Sequence, residues 1–306
     1  MSHGHHADTT ALSRGDAAAL MRRATYASVA VASLLILGKG AAWLASDSVA
    51  MLSTLVDSLL DALASLVTLF AVRTALSPAD ADHRFGHGKA EPLASLAQAA
   101  FVAGTATFVL AEAARHLWQP RPIGHSDLAI RVMVVSILAT LGLVLFQRFV
   151  VARTGSLAIR GDLLHYASDL LTNAGVLAAI VAVGWTGLLW LDPVAGAAVA
   201  LFLLVQAGRI AHAALDMLMD RELPEAERAR IIEIARAHPE VRDIHDLRTR
   251  AAGPDRFIQC HMTLDADLPL RQAHMVAAAV SREIRDAFPD AEVIIHQDPA
   301  GIHDPH

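Results

Sequence analysis

The chain holds a single cysteine, Cys260. That excludes an intrachain disulfide and any zinc site built from several thiolates, so oxygen and nitrogen must carry any bound metal. Positive charge is not in excess either. A formal net charge of -6 argues against a nucleic-acid partner, whose phosphates demand a basic face. No HExxH-type helix is present, which removes the usual zinc scaffold of an intramembrane metalloenzyme. GHGKAE lacks both the full spaced glycines and the Ser or Thr after Lys89 that a P-loop needs, so nucleotide-driven work is excluded too. The opening MSHGHHADTTALSRGD has neither the positive start, the apolar run nor the cleavage site of a secretory signal, and reads as a cytoplasmic tail over residues 1–22. Its His3, His5 and His6 either sample metal or are incidental.

What is abundant is apolar surface. Hydrophobic residues make up 54% of the chain and the mean hydropathy is +0.42, more than a soluble core requires, so much of it must face lipid. Crossing the hydrocarbon takes roughly 20 helical residues. Runs of that kind lie near Tyr26 to Ala45, Val49 to Leu76, Leu93 to Ala114, Ala129 to Val151, Leu163 to Trp185 and Leu188 to Ala211. Six spans put both chain ends on one side. Arg14, Arg22 and Arg23, then Arg73, Arg84 and Lys89, then Arg148, Arg153 and Arg160 mark that side as cytoplasmic, although Arg115 and Arg121 in the third loop run against the rule.

After Asp220 the pattern becomes that of a soluble domain. ELPEAERARIIEIARAHPEV is an amphipathic helix, DIHDLRTR and DRFIQCHMTL are strands joined by the turn AAGP, LPLRQAHMVAAAVSREIRDAF is a second helix and AEVIIHQDP a last strand. The expected fold is therefore a membrane all-α six-helix bundle over residues 23–220, followed by a small cytoplasmic α+β, ferredoxin- or metallochaperone-like domain over residues 221–306.

Two membrane segments carry ionisable pairs at helical spacing. LVDSLLD puts Asp57 and Asp61 on one face of the second span, and LLHYASD puts His165 and Asp169 on one face of the fifth. A charge at bilayer depth costs at least roughly 2.5 kcal/mol and normally faces a cavity or a partner. Three carboxylates and one imidazole cannot satisfy one another, and a divalent cation resolves the repulsion. One nitrogen with three oxygens suits Zn2+ and tolerates Cd2+ or Fe2+. The plain alternative is a polar helix interface.

In the second loop, Asp80, His83 and His87 fall within a few residues beside Gly86 and Gly88, as a second metal site or a solvated polar loop. The last domain places His245, His261, His274, His296 and Asp298 among apolar neighbours, as core histidines satisfied by hydrogen bonds or as ligands.

LVDSLLD and HYASD resemble the cation diffusion facilitator family, and DHRFGHGKAE, DLRTR, RFIQCH, QAHMVA and IIHQDP resemble its bacterial zinc and ferrous-iron efflux branch. The likeness runs from about Arg22 to Pro299. It implies a proton-coupled homodimeric exporter of divalent metal in the inner membrane, with both termini cytoplasmic and a transport site at Asp57, Asp61, His165 and Asp169. It further implies an accessory site at Asp80, His83 and His87, a salt bridge between Lys89 and Asp220 at the dimer junction, and a binuclear site at His245, His261, His296 and Asp298 to which His274 and Gln297 contribute. A metal-sensing membrane scaffold is the remaining rival, since only flux separates it from a carrier.

Overall fold

A computed structural model describes residues 13–46, 49–118, 127–186 and 190–301. The histidines at positions 3, 5, 6, 303 and 306 and Arg121 lie outside them. Six long helices come first: α1 (Arg14–Ser46), α2 (Val49–Ala75), α3 (Ala90–Trp118), α4 (Asp127–Thr154), α5 (Leu157–Thr186) and α6 (Leu191–Leu218). Among the described residues, five of them are long and apolar enough to cross a membrane. The other, α5, carries Arg160, Asp162, His165 and Asp169 in its first half.

The bundle is apolar outside, as a hydrocarbon solvent requires, and buries polar groups among its small and apolar interior residues. Leu34, Leu37, Leu44, Phe70, Phe108 and Leu138 are among its most exposed residues, whereas Ser28, Ser65, Thr68, Gln98, Gln147 and Asp162 are buried. The buried polar groups tie helices together. Gln98 on α3 donates to the Ala64 carbonyl of α2 at 2.8 Å, and the Tyr166 hydroxyl of α5 shares a 2.6 Å hydrogen bond with Ser65 of α2. Asp162 accepts from Ser28 of α1 at 2.7 Å and from Gln147 of α4 at 2.6 Å. Helix α1 starts at Arg14, well before the apolar run, because Leu20, Met21 and Ala24 continue one face that packs on Val72, Val150 and Ile159.

The rest of the chain is α7 (Glu225–Ala237), β1 (Asp243–Ala252), β2 (Asp255–Leu264), α8 (Leu270–Ala287) and β3 (Ala291–Pro299). The sheet order is β1-β2-β3; β1 runs antiparallel and β3 parallel to the central β2. Alternation along β2 sends Ile258, Cys260, Met262 and Leu264 into a core with Val276, Val280 and Ile284 of α8 and Ile231 of α7. Gln259, His261 and Thr263 point to the other face, which no helix of the domain covers.

The two domains meet at a tight junction. An ideal Cβ on Gly88 would lie 1.9 Å from the Ala252 carbonyl oxygen, so only glycine fits there. Lys89 pairs with Asp220 at 2.9 Å and Arg250 pairs with it at 3.2 Å. The Arg250 guanidinium also stands 4.4 Å from the Phe257 ring centroid and 5.2 Å from that of Phe85.

Candidate metal centre

Ligand clusters can be judged by one length. A tetrahedral ion with bonds of about 2.0–2.2 Å holds adjacent ligand atoms about 3.3–3.6 Å apart. In the membrane domain, His165 Nε2 lies 3.2 Å from Asp61 Oδ1 and 3.8 Å from Asp169 Oδ2. One ligand atom from each of these residues falls within 4.8 Å of the others. His165 is held by edge contacts with Phe101 and Tyr166, and the Tyr166–Ser65 bond fixes α5 to α2 one turn from Asp61. His165 Nε2 and Asp169 Oδ2 are buried and accept no hydrogen-bond donor among the described residues, so the donor set suits a cation. Asp57 is not within this group of three. It lines the same cavity, of about 290 Å³, together with Lys39. Lys39 is a further group at the site, and an isolated lysine in an apolar run is its signal in the sequence. Its ammonium donates to Ser58 at 2.7 Å.

The loop between α2 and α3 makes a second cluster. Asp80 lies 3.3 Å from both His83 Nδ1 and His87 Nε2. An Asx-type turn shapes it: the backbone amides of His83 and Asp82 donate to Asp80 at 2.7 and 3.0 Å, and the His83 amide foremost holds its carboxyl below the usual range. Gly86 turns the chain at φ 78° to bring His87 back.

On the open face of the sheet, register rather than sequence spacing assembles a third. His261 pairs with His245 across β1 and with His296 across β3. Asp298 stands 3.0 Å from His261, 3.3 Å from His245 and 3.3 Å from His296. His274 and Gln297 do not join this group. His274 is exposed on α8, and Gln297 is the register partner of the core residue Met262, so both belong to the helix-covered side. Asp246 does join it. A bulge between His245 and Arg248 and a φ of 44° aim Asp246 at His261, 4.0 Å away. Nothing in a strand-like DIHDLRTR announces that bulge.

Sequence comparison decides the family. The cation efflux transmembrane domain matches residues 25–219 and the cation efflux protein cytoplasmic domain matches residues 223–300. The chain belongs to the cation efflux family. Similar relatives are the cation-efflux pump FieF of Serratia proteamaculans, 45% identical over 93% of this chain and 95% of that protein, and its namesake in Cronobacter sakazakii, 46% identical over 92% and 94%. A solved structure of the zinc form of CzrB is 32% identical, spans 28% of this chain and 99% of its own, and gives a TM-score of 0.26.

As a multi-pass cation efflux protein, the chain is built for metal efflux, and its helix order explains how the membrane cluster is held. Glu91, buried at the start of α3, accepts hydrogen bonds from Ser156 and from the Ala158 amide at 3.2 Å. It thereby caps the amino end of α5, two turns below His165. Asp220, outside the membrane-spanning helices, is held by charged partners. Partial burial raises its pKa, but the hydrogen bonds from Lys89 and Arg250 outweigh it, and the carboxyl sits below its ordinary value.

Proposed function

We propose that this cation efflux protein is a proton-coupled antiporter that exports divalent transition metal from the cytoplasm, Zn2+ foremost, with Cd2+ or Fe2+ as further substrates. The observation that carries the reading is the membrane cluster: Asp61, His165 and Asp169 converge in a cavity that Asp57 also lines, and no described residue donates a hydrogen bond to His165 Nε2 or Asp169 Oδ2. Asp57, on the wall of the same cavity, is the fourth ligand.

Metal binding requires an unprotonated imidazole and ionised carboxylates, so protons and metal compete for one set of atoms. Lys39 supplies positive charge in the cavity when metal has left. Alternating exposure of this site to the two sides then exchanges metal for protons and makes the chain a secondary transporter rather than an enzyme. It lies in the inner membrane with both termini and the α+β domain in the cytoplasm. The open histidine face, with His245, His261, His296 and Asp298, binds structural Zn2+ and meets a second copy, whose approach brings His274 and Gln297 into play. Asp80, His83 and His87 hold an accessory ion. Lys89 and Asp220 brace the junction.

Flux in proteoliposomes tests this. Zinc uptake should follow an imposed pH gradient with an acid lumen, the lumen should turn alkaline as zinc enters, and Asp57→Ala should stop both. Zinc uptake indifferent to the gradient, or surviving in Asp57→Ala, overturns the reading.

A further inference from the structure

The cavity that holds the membrane cluster does not end there. Phe108, Val109, Thr172 and Val199 line it and also line a second cavity of about 220 Å³ between α3, α5 and α6. The two spaces adjoin as parts of a cleft, and the neck between them is apolar apart from Thr172. Along α3, Phe101 and Thr105 face the cluster, Phe108 and Val109 form the neck, and Glu112 and His116 line the far space. At 1.5 Å per residue, Glu112 is about 10 Å and His116 about 16 Å beyond Thr105 along the helix.

Glu112 and His116 are four residues apart, so they stand on one face of consecutive turns. Their ligand atoms, Glu112 Oε1 and His116 Nε2, are 3.3 Å apart, the separation two adjacent ligands of a tetrahedral ion adopt. Arg115 donates to the other oxygen, Glu112 Oε2, at 3.3 Å. That contact orients the carboxylate and leaves Oε1 for the imidazole or for a metal. A carboxylate and an imidazole are the donor classes of the membrane cluster, with two positions open to water.

We infer that Glu112 and His116 form a second metal site in the membrane domain, a low-affinity station for a divalent zinc-class ion at the outer end of the cleft. The direction of travel rests on the export reading above; the binding does not. An ion leaving Asp61, His165 and Asp169 passes the apolar neck and meets a pair that replaces part of its hydration, but with too few protein ligands to retain it. Zinc accumulated outside competes for the same pair and opposes release.

Two measurements test it. In full-length protein with the other clusters removed by Asp61→Ala, Asp80→Ala and His261→Ala, equilibrium dialysis against zinc should detect a weak site whose affinity falls at least about tenfold on adding Glu112→Gln and His116→Gln. In proteoliposomes, Glu112→Gln with His116→Gln in the otherwise native chain should raise the release-side zinc concentration needed to inhibit flux by about tenfold, while KM on the uptake side stays unchanged. Unchanged zinc binding overturns the inference, and so does a flux loss that treats both sides alike. A changed pH profile with unchanged zinc binding makes the pair a proton relay and overturns it equally. If the native chain fails to move zinc while dialysis still finds the site, the export reading falls and the site stands.

Discussion

The membrane cluster and the sheet cluster use the same donor types in opposite settings. His165 is almost fully buried, with a side-chain exposure of 3%. The carboxylates beside it, Asp61 and Asp169, come from two helices of one chain. His245 and His296 are 44% and 57% exposed, and they lie on a sheet face that its own domain leaves uncovered. Burial gives the first site a donor set that is costly to leave without a cation. Exposure gives the second a site that a partner surface can complete and that solvent can reach at any time. On the proposed reading, the same chemistry serves transport in one place and association in the other.

That contrast breaks if the two clusters respond alike. His165→Ala should lower zinc flux at least about 100-fold, since a missing ligand leaves uncompensated buried carboxylates. Asp298→Ala should lower it only a few-fold, while abolishing the tightening of the dimer by zinc measured in sedimentation. Equal flux losses would sink the division of labour. The junction between the two regions sharpens the comparison further. Gly88→Ala drives a methyl into the Ala252 carbonyl, and the full chain should lose about 1–3 kcal/mol of stability to denaturant; an unchanged midpoint would show that the contact yields freely.

The smallest effect concerns Asp220, whose carboxyl is shifted below its ordinary value. A group with a lowered folded-state pKa stabilises above its unfolded pKa and loses that contribution as pH falls through the folded value. Asp220→Asn should therefore cost less than about 1 kcal/mol, as expected for a half-exposed pair. The gap from the native chain should be flat from pH 5 to 8 and close below about pH 4. A gap that widens on acidification contradicts the assignment.

Much of this architecture is written in local pattern. Apolar runs announce the helices, alternation from Phe257 to Leu264 announces β2, and four-residue spacing joins His165 to Asp169. What is not legible depends on which elements become neighbours. Asp162 meets Ser28 across 134 residues, a pairing that follows from the packing of α1 against α5. Glu91 reads as an ordinary first-turn acid until α5 begins beside it. His296 and Gln297 are neighbours in the sequence, and only the strand register puts Gln297 on the helix-covered side and His296 on the open face. Asp246 reaches His261 only through a bulge in the pairing of β1 with β2.

One buried side chain has a practical consequence. Cys260 packs in the domain core at 2% exposure, and burial pushes its thiol pKa up to about 11, so at pH 8 only about one molecule in a thousand carries a thiolate. Maleimide should leave the native chain unlabelled and modify it after denaturation. The natural sequence is in effect its own cysteine-free background: a spin label or fluorophore attached to a new cysteine on α3 or α6 would report on the opening of the cleft without interference.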